Sequence, residues 1–134
     1  MSSYKTLANL SASIRNAQES RKLEALLKNT KLSQNILEVL KKEGFIRGFT
    51  LKKDYIHINL KYFSDLPTIQ KIEPILKGHP DRYLSLKDLY QHQKSILKKN
   101  KGLETFILST SKGILSDYES LEKKVGGKIL LKIL

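Results

Sequence analysis

Cysteine is absent from all 134 residues, which excludes disulfides and thiolate chemistry. No apolar run approaches the roughly 18 residues of a membrane-crossing helix, so no membrane partner is expected. Acidic side chains are scarce. Thirteen Asp and Glu stand against 25 Lys and Arg, for a formal net charge of +12. Seven glycines, three prolines, 28% charged residues and 40% hydrophobic residues do not describe a disordered chain. They describe one domain of ordinary size or two small lobes sharing a surface. The three histidines, His57, His79 and His92, are scattered without E-x-x-H or cysteine partners, so a metal site is not expected. The phosphate-loop string G-x-x-x-x-G-K-[ST] is missing as well.

What is present is positive charge, evenly spread. Residues 1–66 hold 12 basic and 6 acidic side chains, and residues 67–134 hold 13 and 7. A basic tail on a neutral enzyme is thereby excluded. The whole body is positive, as expected of a protein set into a polyanion, though a soluble protein with lysine-covered faces would share this composition. Lysine outnumbers arginine 21 to 4, a usage that accompanies AT-rich genomes.

Along the chain, Leu7, Leu10, Ile14 and Ala17 recur at helical spacing and predict an amphipathic helix over 3–18. Lys5, Asn9, Ser13 and Asn16 occupy another side, with Ser11 and Arg15 as a further polar pair. Residues 22–28 form a short strand candidate. Thr30 caps a second helix whose apolar stripe is Leu32, Ile36, Leu37 and Leu40, and Gly44 ends it in a Schellman motif. Strands are expected over 45–52 and 55–63, with Ile56, Ile58 and Leu60 on one face. Tyr55, Tyr62 and Phe63 are either a stacking platform for bases or, the preferred reading, core aromatics. Asp65-Leu66-Pro67 marks a break, giving a lobe over 1–66 ordered α-β-α-β-β and a β-rich lobe with short helices over 67–134. The fold class is α+β.

In the second lobe, Pro74 confines a strand over 68–76 to an edge or bulge. Gly78 to Asp81 form a turn. Ser85 and Asp88 fit an S-x-x-D helix start, with a lysine-rich helix or an irregular segment to about residue 99. A strand over 103–108 leads into Ser109-Thr110-Ser111-Lys112-Gly113. Ser116 and Glu119 then make a capping box for a helix over 117–124, and Gly126-Gly127 turn the chain into a last strand over 128–133.

The segment 109–113 is the densest cluster of potential chemistry. Each hydroxyl both donates and accepts, which suits the 2′-hydroxyls and base edges of the shallow minor groove of A-form RNA. Glycine allows close backbone approach, and lysine supplies a point charge for phosphate. The helix start beyond adds unpaired N–H groups. Equally open is a loop whose hydroxyls satisfy their own backbone. Ser109-Thr110-Ser111-Lys112 also fits S-x-x-K, but the companion S-D-N and K-T-G motifs of serine acyl-transfer enzymes are missing, so catalysis is rejected.

These residues resemble the signature loop of the eighth small-subunit ribosomal protein family of bacteria and organelles. Ile114-Leu115-Ser116-Asp117 resembles that family's continuation. Ile14-Arg15-Asn16, Thr30-Lys31-Leu32, Leu40-Lys41-Lys42-Glu43-Gly44-Phe45-Ile46, Leu60-Lys61-Tyr62-Phe63 and Gly126-Gly127 match in order along nearly the whole chain. Pro80-Asp81-Arg82-Tyr83-Leu84-Ser85 departs from the family's P-G-x-R-x-Y, and Asn9 stands where the family has an acidic residue. The resemblance implies a non-enzymatic, two-lobed protein without cofactor or small-molecule substrate. It would bind a helix of the central domain of small-subunit rRNA early in assembly, beside neighbouring small-subunit ribosomal proteins. The implied RNA contacts are Ser109, Thr110, Ser111, Lys112 and Gly113 in the loop, Arg15 and Asn16 in helix one, Lys31 at the entry to helix two, and Gly126 and Gly127. Residues 1–18 are Ser-rich and acid-free like a transit peptide, but the family's first helix covers them. The expectation is therefore an organelle-encoded or bacterial protein, with a mitochondrial ribosome favoured. The competing readings are a free-standing RNA chaperone or other nucleic-acid-binding factor, and a small enzyme for which the ionisable residues offer no support.

Overall fold

The first apolar stripe becomes α1 (Ser3–Glu19), with Leu7, Leu10, Ile14 and Ala17 buried. The computed structural model describes residues 3–75, 83–99 and 104–134, and these divide into two compact units, Met1–Ile72 and Glu73–Leu134. Ser11 is buried against expectation. Its hydroxyl donates to the Leu7 carbonyl at 2.9 Å, which lets a small polar residue lie on the inner face without an unsatisfied group.

In the first unit, β1 (Glu24–Lys28) buries Ala25 and Leu27 and exposes the alternate residues. α2 (Lys31–Lys42) begins at the Thr30 cap, whose side-chain oxygen accepts from the Ser33 N–H at 3.1 Å. It closes as expected. Gly44 takes φ +83, its N–H donates to Lys41, and the Phe45 N–H donates to Leu40, the bond pair of a Schellman ending. β2 (Ile46–Leu51) and β3 (Tyr55–Leu60) follow, and β3 lies between β1 and β2 in an antiparallel sheet. Ile56, Ile58 and Leu60 are buried, so period-2 patterning decided which face packs.

Expected as one strand over 55–63, the chain instead ends β3 at Leu60 and re-pairs as β4 (Tyr62–Phe63) with β5 (Leu66–Pro67). The supposed break at Asp65-Leu66-Pro67 is the return limb of this hairpin. Residues beyond it stay with the first unit: the Thr68 N–H donates to Lys61, and the Ile69 carbonyl accepts from the Gln18 side chain. This moves the division between units from 66/67 to 72/73.

The second sheet contains β6 (Ile72–Pro74), β7 (Tyr83–Leu84), β8 (Thr105–Thr110), β9 (Gly113–Ser116) and β10 (Gly127–Ile133). Its order is β6-β10-β8-β9, with β7 also pairing β10. Pro74 sits in the terminal strand, where a missing N–H is tolerated. α3 (Leu86–Lys99) starts where Ser85 and Asp88 exchange backbone-to-side-chain bonds. α4 (Asp117–Glu122) starts at the Ser116–Glu119 capping box. Ile75, Leu89, Leu108 and Ile129 form a core cluster, with Leu84, Phe106 and Leu121 packed on it. The turn expected at Gly78 to Asp81, the Pro80 to Arg82 departure and the start of the strand expected at Leu103 lie outside the described residues.

Candidate nucleic-acid interface

The hydroxyl-rich segment is a β-hairpin tip, where the sequence suggested a strand-to-helix turn. Ser109 and Thr110 end β8, Ser111 and Lys112 make the turn, and Gly113 opens β9. Gly113 takes φ +107, a conformation L side chains rarely adopt. α4 begins only after β9, and the N–H groups of Ser116 and Glu119 are engaged by its capping box and that of Tyr118 by the Asp117 carboxylate. The helix start therefore adds nothing to the tip.

The three hydroxyls divide. The Thr110 hydroxyl donates to the Gly113 carbonyl at 2.8 Å and accepts from the Lys112 N–H at 3.1 Å. It is spent on the turn's own backbone. Among the described residues, the hydroxyls of Ser109 and Ser111 have no partner, and both residues are exposed. Thr110 thus shapes the tip, and the two serines keep free donors and acceptors.

The tip is held from three sides. The Lys112 ammonium donates to the carbonyl of Lys123, the residue that closes α4, at 3.3 Å. A Cβ on Gly127 would lie 2.5 Å from the Ser109 carbonyl oxygen and 2.7 Å from Thr110 Cγ2, so only glycine admits β10 this close to the tip. A Cβ on Gly126 would lie 2.5 Å from the Leu84 carbonyl oxygen, which makes the glycine pair the point where β7, β8 and β10 converge. Behind the tip, Asp117 Oδ2 accepts from the Phe106 N–H at 3.4 Å and faces His92 Nε2 at 3.4 Å. The His92 ring packs against Phe106 with centroids 4.4 Å apart and the planes tilted by 38°. The hydrogen bond to Asp117 raises the His92 pKa above 6.5, outweighing burial, which acts to lower it; the nearby Glu104 carbonyl adds in the same direction.

The sheet register aligns further residues with the serines. Lys128 pairs with Ser109 on one side and with Tyr83 on the other, so Tyr83, Lys128 and Ser109 share one face. Tyr83 is 65% exposed. Lys112, Lys123, Lys124 and Lys128 give this end of the unit its charge. Tyr83, Lys123, Lys124 and Lys128 were missed in the sequence because only β-pairing brings them to the tip. The single clue was two lysines and a third flanking Gly126-Gly127.

Ser109 to Gly113 are thus brought together with Gly126 and Gly127. Arg15, Asn16 and Lys31 belong to the first unit. Arg15 and Asn16 are adjacent exposed residues late in α1, and Lys31 is the exposed first residue of α2. Tyr55 and Phe63, expected in the core, are exposed, and the Tyr62 hydroxyl donates to the Lys22 carbonyl at 2.6 Å. In β3 the inner face is filled by Ile56, Ile58 and Leu60, and in β4 it is Tyr62 that turns inward.

The chain is an α+β protein of two units, the second carrying a basic, hydroxyl-bearing hairpin and, among the described residues, no cluster of metal-ligating side chains. The family model described as ribosomal protein S8 matches residues 5–134. A small ribosomal subunit protein uS8 from Rhodopseudomonas palustris (strain BisA53) is 38% identical, covering 99% of both chains. The uS8m protein of Acanthamoeba castellanii is 41% identical over 95% of this chain and 97% of its own. The chain belongs to the ribosomal protein S8 family, a structural and non-enzymatic family.

Proposed function

We propose that this protein is a structural constituent of the small ribosomal subunit that binds a helix of the central domain of small-subunit rRNA and aids its assembly. The observation that carries the RNA contact is the division of hydroxyls at the tip: Thr110 and Gly113 fix the backbone, leaving Ser109 and Ser111 unpartnered and exposed. Preorganised hydroxyls of this kind meet the 2′-hydroxyls of an A-form minor groove without first breaking internal bonds. Lys112 adds a phosphate contact. Arg15, Asn16 and Lys31 contribute backbone contacts from the first unit, and Gly126 and Gly127 allow close approach beside the tip. Neighbouring small-subunit proteins complete its surroundings. The mitochondrial ribosome is the proposed setting, supported by the lysine-rich usage and by a uS8m relative beside bacterial ones. A free-standing chaperone gains no specific observation, whereas one family model covers residues 5–134.

The test is binding of the full chain to small-subunit rRNA. Ser111→Ala should weaken binding by about 1–3 kcal/mol, as expected for a buried hydroxyl left without its partner. A loss below about 0.5 kcal/mol would place Ser111 outside the RNA contact. In a sucrose gradient the chain should co-migrate with the small subunit through a high-salt wash. Sedimentation apart from ribosomes would favour the free-standing factor.

A further inference from the structure

The β4–β5 hairpin is a second preorganised projection. Its turn residues Ser64 and Asp65 take φ +52 and +66, the paired left-handed conformation of a two-residue hairpin turn. Tyr62 pairs with Pro67, and Phe63 pairs with Leu66. Alternation turns the two pairs to opposite sides. The Tyr62 side faces the body, with its hydroxyl on the Lys22 carbonyl at 2.6 Å. The other side presents Phe63, 79% exposed, beside Leu66, 60% exposed. The Arg21 guanidinium donates to the Asp65 carbonyl at 3.2 Å, and the Thr68 N–H closes the base of the hairpin onto Lys61. An apolar pair is thus held rigidly outward.

The charge around the hairpin says what meets it. Arg21 reaches it through its guanidinium on the Asp65 carbonyl, and Lys22 and Lys61 adjoin it through their own carbonyls, which accept from the Tyr62 hydroxyl and the Thr68 N–H. All three cations are exposed, and the hairpin itself carries one acid, Asp65. That balance fits a polyanion.

We infer that Phe63 is a separate RNA contact, a stacking platform for an unpaired base of the rRNA, with Leu66 extending the apolar surface and Arg21, Lys22 and Lys61 on the adjoining phosphates. The inference rests on the RNA-binding reading above. Aromatic rings recognise any base through its π-face, and flanking cations track the backbone. The projection lies in the first unit, so it supplies a contact independent of the hydroxyl-rich tip.

The test measures affinity of the full-length protein for protein-free small-subunit rRNA, beside Ser111→Ala as reference. Phe63→Ala should weaken binding by about 5- to 150-fold, Phe63→Leu by nearly as much, and Phe63→Trp hardly at all. Ultraviolet crosslinking should yield a nucleotide adduct on Phe63. Equal binding by Phe63→Ala and the parent, with Ser111→Ala impaired, overturns the platform and leaves the tip in place. If both variants bind like the parent, the RNA reading falls and the platform with it. Unimpaired binding of Phe63→Ala to rRNA, with failure to join the complete subunit, assigns the pair to a protein pocket and overturns base stacking. Full retention of binding by Phe63→Leu shows that apolar bulk suffices, which also overturns it.

Discussion

A hydroxyl already engaged at both its donor and its acceptor has little left for a ligand, so neighbouring residues of one type take different tasks. Thr110 holds the turn, and Ser111 does not. Thr110→Val should therefore lower folding stability by about 1 kcal/mol, while Ser111→Ala leaves it within about 0.5 kcal/mol; chemical denaturation of the two variants checks this. Gly127→Ala should cost about 1–3 kcal/mol, because its Cβ would meet backbone and a methyl group that have no room to yield. The same denaturation series reads it, and an unchanged midpoint would mean that β10 shifts freely. The residue types at the tip were legible in the sequence. The division between Thr110 and the serines was not, because it depends on the β8–β9 register, which places Thr110 opposite Gly113.

Helix ends were the most legible elements, since a cap is a local bond between residues three apart. Thr30, Ser85 and Ser116 all cap as their spacing suggested. Ser116→Ala should cost about 1–2 kcal/mol, since it removes a cap accepting from a buried N–H, and thermal melting checks it. Strand limits were less legible. The strand expected over 103–108 is observed over 105–110, because pairing with β9 and β10 carries the ladder into the hydroxyl-bearing residues. α3 and α4 also share a titrating link. The Asp117 hydrogen bond raises the His92 pKa, so protonated His92 stabilises the fold. That contribution is complete below pH 6.5 and is lost as pH rises through the higher folded value. Denaturation midpoints of the parent should decline over that interval, and His92→Phe, which keeps an aromatic ring on Phe106, should lack the decline.

At the scale of the molecule, charge sets how binding responds to salt. Each cation on a phosphate releases counterions and steepens the dependence by a little under one log unit. Lys112→Ala should reduce the slope of log affinity against log salt by about one, measured on small-subunit rRNA, while an unchanged slope would remove Lys112 from the phosphate surface. Both units are positive, with 13 basic and 6 acidic side chains over 1–72 and 12 and 7 over 73–134. The division into units was legible in outline from the α-β-α-β-β order. Its position was not, because Gln18 and Lys61 hold residues 68 and 69 to the first unit through bonds distant in sequence.

Local spacing alone settled the α+β class, the helices and their caps and the buried face of β3, while the order of short motifs along the chain carried the resemblance to the family. Period and capping act over a few residues, so they are written in order along the chain. Tertiary pairing decided the rest. It made a hairpin tip of the hydroxyl cluster, set Tyr83 and Lys128 in line with Ser109, and turned Phe63 outward. Strand partners are chosen by packing between distant segments, and no local pattern records which residue will lie opposite which.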